Sequence, residues 1–219
     1  MIDQSRLLPR RLLAGLAAAG AVAIAAGPAV AETRTYDLDG FDVVYVSSGI
    51  YATVTIGESF VVEIEAAQRD LDRLDVRVKD GELKIGRNYR GLSWGRERGR
   101  IDARVTLPNL TGLEASSGAD VTATDVDAGS FGIDASSGAS IDVAGACENA
   151  SVDVSSGASV DAEGLICNDV DVDASSGASA RVHAAERVTA DASSGASVRV
   201  FGDPQQKQSD TSSGGSVRY

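Results

Sequence analysis

Residues 151–164 read SVDVSSGASVDAEG, and the five letters at its centre, SSGAS, return before and after it. Aligning the copies on their glycine gives Gly118, Gly138, Gly157, Gly177, Gly195 and Gly214, at intervals of 20, 19, 20, 18 and 19 residues. A period of this length marks an architecture of stacked coils. Two serines precede each glycine: Ser116-Ser117, Ser136-Ser137, Ser155-Ser156, Ser175-Ser176, Ser193-Ser194 and Ser212-Ser213. Three residues after it stand Val121, Ile141, Val160, Ala180, Val198 and Val217; three before it stand Ala115, Ala135, Val154, Ala174, Ala192 and Thr211. Apolar residues alternate with polar ones on both sides, which is the period of a strand with one buried face. Each repeat therefore reads as one coil: strand, SSG corner, strand, looser corner. The glycine supplies a backbone angle that side chains resist, and stacked serines can bond along the ladder. The expected fold is all-β, a single-stranded parallel β-solenoid of about 19 residues per coil, with coils about 4.8 Å apart.

Cys147 and Cys167 each lie ten residues before a corner glycine, so they share a column in adjacent coils. Their Cα atoms then fall within disulfide range, and a Cys147–Cys167 bond is expected.

Residues 36–112 are less regular but remain rich in alternating, β-branched runs. Asp80-Gly81 signals a hairpin turn. Ser47-Ser48-Gly49 is a diverged copy of the corner, which adds Gly49 to the corner set. The stretch Ala66–Leu74 suggests a single helical turn. Residues 32–112 thus read as an irregular start that caps the solenoid, and 113–219 as its regular coils, together one continuous domain.

The first 31 residues have the anatomy of a secretory leader. Arg6, Arg10 and Arg11 precede an apolar run from Leu12 to Ala26, and Ala29-Val30-Ala31 is a small-x-small cleavage site. The run is shorter than the roughly 20 residues a spanning helix needs. General secretion is the default route, with Arg10-Arg11 a faint trace of a twin-arginine signal. An exported protein of periplasm, cell surface or medium is expected, without a membrane span. Its formal net charge of −12 disfavours nucleic acid as a partner.

The blocks FDVVYVSSGIYATVTIGES (41–59), LDVRVKDGELKIG (74–86) and VTLPNLTGLEASSGADV (105–121), followed by repeated SSGAS, resemble the bacterial head GIN domain family, described as an autotransporter adhesin. The resemblance covers Phe41 to the C-terminus. It implies a right-handed, pectin-lyase-like β-solenoid without catalytic residues, and an adhesion-type role. Tyr51 stands where the family name leads one to expect asparagine after Gly49-Ile50.

Four features carry candidate chemistry. Glu114, Asp134, Asp153, Asp173, Asp191 and Asp210 each stand four residues before a corner glycine and form an acidic ladder. Like charges at strand spacing repel, so the row is either a Ca²⁺ or basic-partner site or a solvated face that blocks aggregation. The calcium repeat GGxGxDx is absent. A second column, Thr122, Asp142, Asp161, Arg181, Arg199 and Arg218, changes from acidic to basic along the axis and suggests self-association, or simple surface drift. The basic stretch Arg87–Arg100 contains Tyr89, Arg90, Trp94, Arg96 and Arg98. Arginine and aromatics mark binding hot spots, so this stretch is the candidate contact for an anionic glycan, a lipid headgroup or the acidic patch of a protein partner; the plain alternative is a solvated hairpin. His183, the only histidine, gives no triad without a GxSxG elbow. The function expected is a non-catalytic exported adhesin or envelope-associated glycan- or protein-binding module. A polysaccharide-active enzyme and a self-associating scaffold are the alternatives.

Overall fold

The computed structural model describes residues 31–88 and 99–219. Residues 1–30 of the expected leader, and the candidate contacts Tyr89, Arg90, Trp94, Arg96 and Arg98, lie outside the described residues. The N-terminal part comprises β1 (Ala31–Tyr36), β2 (Val43–Ser47), β3 (Tyr51–Ile56), β4 (Val61–Ala67), α1 (Gln68–Leu71), β5 (Leu74–Lys79), β6 (Glu82–Arg87) and β7 (Ile101–Leu107). The regular part follows as β8 (Gly112–Ser116), β9 (Asp120–Ala135), β10 (Ser140–Val154), β11 (Ser159–Ala174) and β12 (Ser179–Ala192). It ends in β13 (Ser197–Phe201), β14 (Gln206–Thr211) and β15 (Ser216–Arg218). The protein is nearly all-β, and its parallel coils recur about 20 residues apart.

The strands form one continuous sheet wrapped into two faces. Residues preceding the SSG corners pair β6–β2–β8 and then the C-terminal halves of β9 to β12, ending in β14. Residues following the corners pair β7–β3 and then the N-terminal halves of the same strands, ending in β13 and β15. Between the faces lies a thin core of Ala and Val in the regular coils, thickening to Ile50, Leu83, Ile85 and Ile101 at the N-terminal end.

The corner explains the repeated letters. In the copy at 155–158, Ser156 has φ +53° and Gly157 φ +71°, and the Ala158 N–H donates to the Ser155 carbonyl at 3.0 Å. Two positive φ values closed by this bond make a type I′ turn. The Gly157 N–H then donates to the Ser176 carbonyl of the next coil at 3.1 Å, so the ladder continues around the bend. All seven corner glycines have φ between +68° and +82°. The second serine of every corner is left-handed as well, with φ from +50° to +69°. The bonding along the corner is carried by the backbone. Serine–serine hydroxyl pairs between coils occur instead two residues past the glycine, at Ser159–Ser179 (3.2 Å) and Ser197–Ser216 (3.5 Å).

The second corner absorbs the differences in coil length. Strands β9 to β12 run through it with register shifts, as between Ala162/Ile166 and their partners Val182/His183. Cys147 and Cys167 are direct register partners here. They form the expected disulfide, with Cα atoms 4.5 Å apart.

Stacking order departs from chain order at the N-terminal end. The β6–β7 coil stacks outside the earlier β2–β3 coil, and the chain then returns to lay β8 and β9 on the inner side. Antiparallel strands cover the outer edges: β4 on β7 and β1 on β4 on one face, β5 on β6 on the other. Asp80-Gly81 closes the β5–β6 hairpin, and α1 supplies the single helical turn. In the last coil Lys207, Ser209 and Thr211 replace Val188, Ala190 and Ala192 in the inward columns and are exposed. Polar residues there discourage further stacking.

Candidate functional site

The acidic residues form one straight row. Cα register pairs Glu114 with Asp134, Asp134 with Asp153, Asp153 with Asp173, Asp173 with Asp191 and Asp191 with Asp210. Alternation places them outward because Ala115, Ala135, Val154, Ala174 and Ala192 beside them are buried. The five aspartates and the serines Ser155, Ser175, Ser193 and Ser212 line a shallow groove of about 570 Å³. The row continues past Glu114 into Tyr45, Lys84 and Arg77. Lys84 binds Glu82 at 2.9 Å and lies 5.2 Å from the Tyr45 ring centre. The Tyr45 hydroxyl meets Ser116 Oγ at 2.8 Å.

The electrostatics follow from the row. Slight burial, then the charges of Asp153, Asp191 and Asp171, holds the Asp173 carboxyl above the ordinary carboxylate range. Burial, then Glu82 and Asp134, does the same to Glu114, against the opposing charge of Lys84. Among the described residues no three His, Cys, Asp or Glu side chains gather as a metal-holding group. A row at strand spacing offers a cation neighbours on two sides only, whereas Ca²⁺ takes about 6–8 oxygens. The chemistry the groove does offer is a repeating line of strong acceptors beside hydroxyls.

On the opposite face the second column is also in register, from Thr122 through Asp142, Asp161, Arg181 and Arg199 to Arg218. Arg181 pairs with Asp161 at 3.2 Å and with Glu163. His183 lies on this face between Ile166 and Phe201. A Cβ added at Gly202 would come within 3.1 Å of its Nε2, so that ring is packed rather than poised beside a serine.

A second polar cluster was not legible in the sequence. Arg87, at the end of β6, is only 10% exposed and pairs with the buried Asp70 of α1 at 3.3 Å. It also donates to the carbonyls of Ser48 and Gly99. Arg100 binds Asp102 and lies over the exposed Tyr51 ring, 4.2 Å from its centre. Arg87 and Arg100 bracket the basic stretch expected as a contact, and line a hollow of about 460 Å³ with Ser48, Tyr51 and Ser117. No signal short of the fold joins Asp70 to Arg87. Among the described residues no helix is long and apolar enough to cross a membrane.

Comparison with known proteins agrees with this architecture. Residues 40–204 match the family model described as "Putative auto-transporter adhesin, head GIN domain". No curated protein matches the chain. Among solved structures, a "putative adhesin" of Bacteroides fragilis has TM-score 0.64 at 18% identity, covering 86% of this chain and 96% of that one. One from Parabacteroides merdae has TM-score 0.54 at 15% identity, covering 86% and 95%. A "putative lipid binding protein" of Parabacteroides distasonis has TM-score 0.50 at 16% identity, covering 86% and 96%. Likeness at such identities is likeness of fold.

Proposed function

The chain belongs to the head GIN domain family, and on that premise we propose that it is an exported, non-catalytic binding module of adhesion type. Its partner is a hydroxyl-rich glycan laid along the carboxylate groove. The observation carrying this reading is the groove itself: five aspartates in register with serine hydroxyls beside them. Carboxylates accept charge-assisted hydrogen bonds from hydroxyls, and a repeating row presents the same acceptors at each coil to a repeating polymer. The non-catalytic reading is supported by the equivalence of the positions. Acid–base catalysis separates the roles of two carboxylates by environment, whereas these aspartates repeat one position in the coil, each facing outward two residues before a corner serine.

The test is retention on an array of neutral glycans. The wild-type chain is compared with a variant carrying Asp153→Asn, Asp173→Asn and Asp191→Asn. The expected outcome is retention on a subset of glycans, lost in the variant while its circular dichroism stays unchanged. Equal retention by both proteins would remove the groove from the account.

A further inference from the structure

We propose a second binding site, separate from the groove, in the hollow beside the Ser47–Gly49 corner, and that it takes the carboxylate of an acidic saccharide. The hollow's volume, about 460 Å³, falls in the range of small-ligand sites, about 300–1,000 Å³.

Its lining is built rather than incidental. Arg87 is nine-tenths buried and is fixed by three acceptors: Asp70 Oδ1 at 3.3 Å, the Ser48 carbonyl at 3.2 Å and the Gly99 carbonyl at 3.3 Å. A guanidinium carries five N–H donors, so these contacts leave donors over. Among the described residues the side chain of Ser48, also buried, has only a 3.5 Å contact, to Ser47 Oγ. Arg100 is held on one edge by Asp102, through bonds of 2.8 and 2.9 Å. Its charge lies over the ring of Tyr51, a residue 42% exposed.

The side chains facing this space, Arg87, Arg100, Ser48, Ser117 and Tyr51, offer mainly donors, around an aromatic face. Such a set selects a ligand with strong acceptors and a flat apolar face. A guanidinium fork binds a carboxylate through two parallel bonds, the serine hydroxyls suit the remaining ring oxygens, and the sugar ring lies against the part of Tyr51 that stays exposed beside Arg100. The groove's carboxylates would repel the same ligand, so the two sites read opposite chemistries.

The experiment is calorimetric titration of the full chain with a galacturonate trisaccharide at low ionic strength, beside the neutral galactose trisaccharide. Arg100→Gln and Tyr51→Ala change exposed side chains and leave the core intact. Arg100→Gln is expected to weaken acidic-sugar binding at least about tenfold, what one charge-assisted hydrogen bond is worth, and Tyr51→Ala to weaken it by about twofold to tenfold through the lost aromatic contact. Asp102→Asn releases the Arg100 fork and is expected to tighten it, a gain that a purely structural role for Arg100 does not produce. The triple aspartate variant of the groove is expected to bind the acidic sugar as well as wild type, so failure of the groove reading and failure of this one are told apart. No saturable binding, equal binding of the neutral sugar, or indifference to both Arg100→Gln and Tyr51→Ala would overturn the proposal.

Discussion

Asp173→Asn is expected to stabilise the protein at neutral pH. Asp173 stands between Asp153 and Asp191 in the ladder, and the groups acting on its carboxyl are burial and three like charges. Adjacent strands lie about 4.8 Å apart. Two unit charges at that distance repel by about 0.9 kcal/mol in water, and a Debye length of about 8 Å at physiological salt roughly halves this. With two nearest neighbours the relief is about 1 kcal/mol, using the solvent dielectric because the side chain is largely exposed. For a chain of this size that is about 2–4 °C in Tm. The sign with pH follows from the raised pKa. The native state holds the Asp173 proton more tightly than the unfolded chain, so the penalty is complete above the folded pKa. It fades as pH falls through that value toward the ordinary aspartate range. The assay is thermal unfolding by circular dichroism at pH 7 and at pH 3, and at pH 7 in 1 M salt, where the Debye length falls to about 3 Å. A gain at pH 7 that disappears in acid and shrinks in salt is expected. A loss at pH 7 would mean that something holds the ladder's charges together, and would refute the repulsive reading.

Further outcomes follow from the corners and crosslinks. Cys167→Ser opens a loop of 20 residues and is expected to cost about 3 kcal/mol by loop entropy, read as a fall in Tm that reductant reproduces in wild type. Gly157→Ala meets no atom within 4 Å, so its cost is the left-handed backbone alone, about 1–2 kcal/mol in a denaturant titration. Gly145→Ala would place its Cβ 2.1 Å from the Val126 carbonyl oxygen and is expected to abolish soluble folded protein on expression. Arg87→Met leaves the buried Asp70 with the exposed Arg69, 3.6 Å away, in place of its buried partner and is expected to cost about 3 kcal/mol, much of it recovered when Asp70→Leu is added.

The regular coils were legible because every column repeats. A residue's place relative to its corner glycine gives its face, its neighbours above and below, and hence the ladder and the disulfide. The N-terminal stacking order was not legible, because Ser47–Gly49 is the one corner copy there and periodicity says nothing about which side a returning strand takes. The left-handed second serine was hidden because serine does not announce a positive φ as glycine does. Its role emerges only from the turn that Ser155 and Ala158 close. Asp70 and Arg87 are 17 residues apart and meet only because a helical turn packs at the end of β6. Tyr51 registered in the sequence as a departure from a family letter, not as a surface beside Arg100. The stretch of arginines and Trp94 drew attention by composition, whereas the described polar hollow is built from residues at its edges.

The central claim is that this solenoid holds a glycan without transforming it. The most direct test is mass spectrometry of the retained glycan, eluted after prolonged contact with the wild-type chain and with the triple aspartate variant. The account predicts saturable retention by wild type, unchanged masses on elution and loss of retention in the variant. Shortened or unsaturated products that depend on Asp153, Asp173 or Asp191 would contradict it.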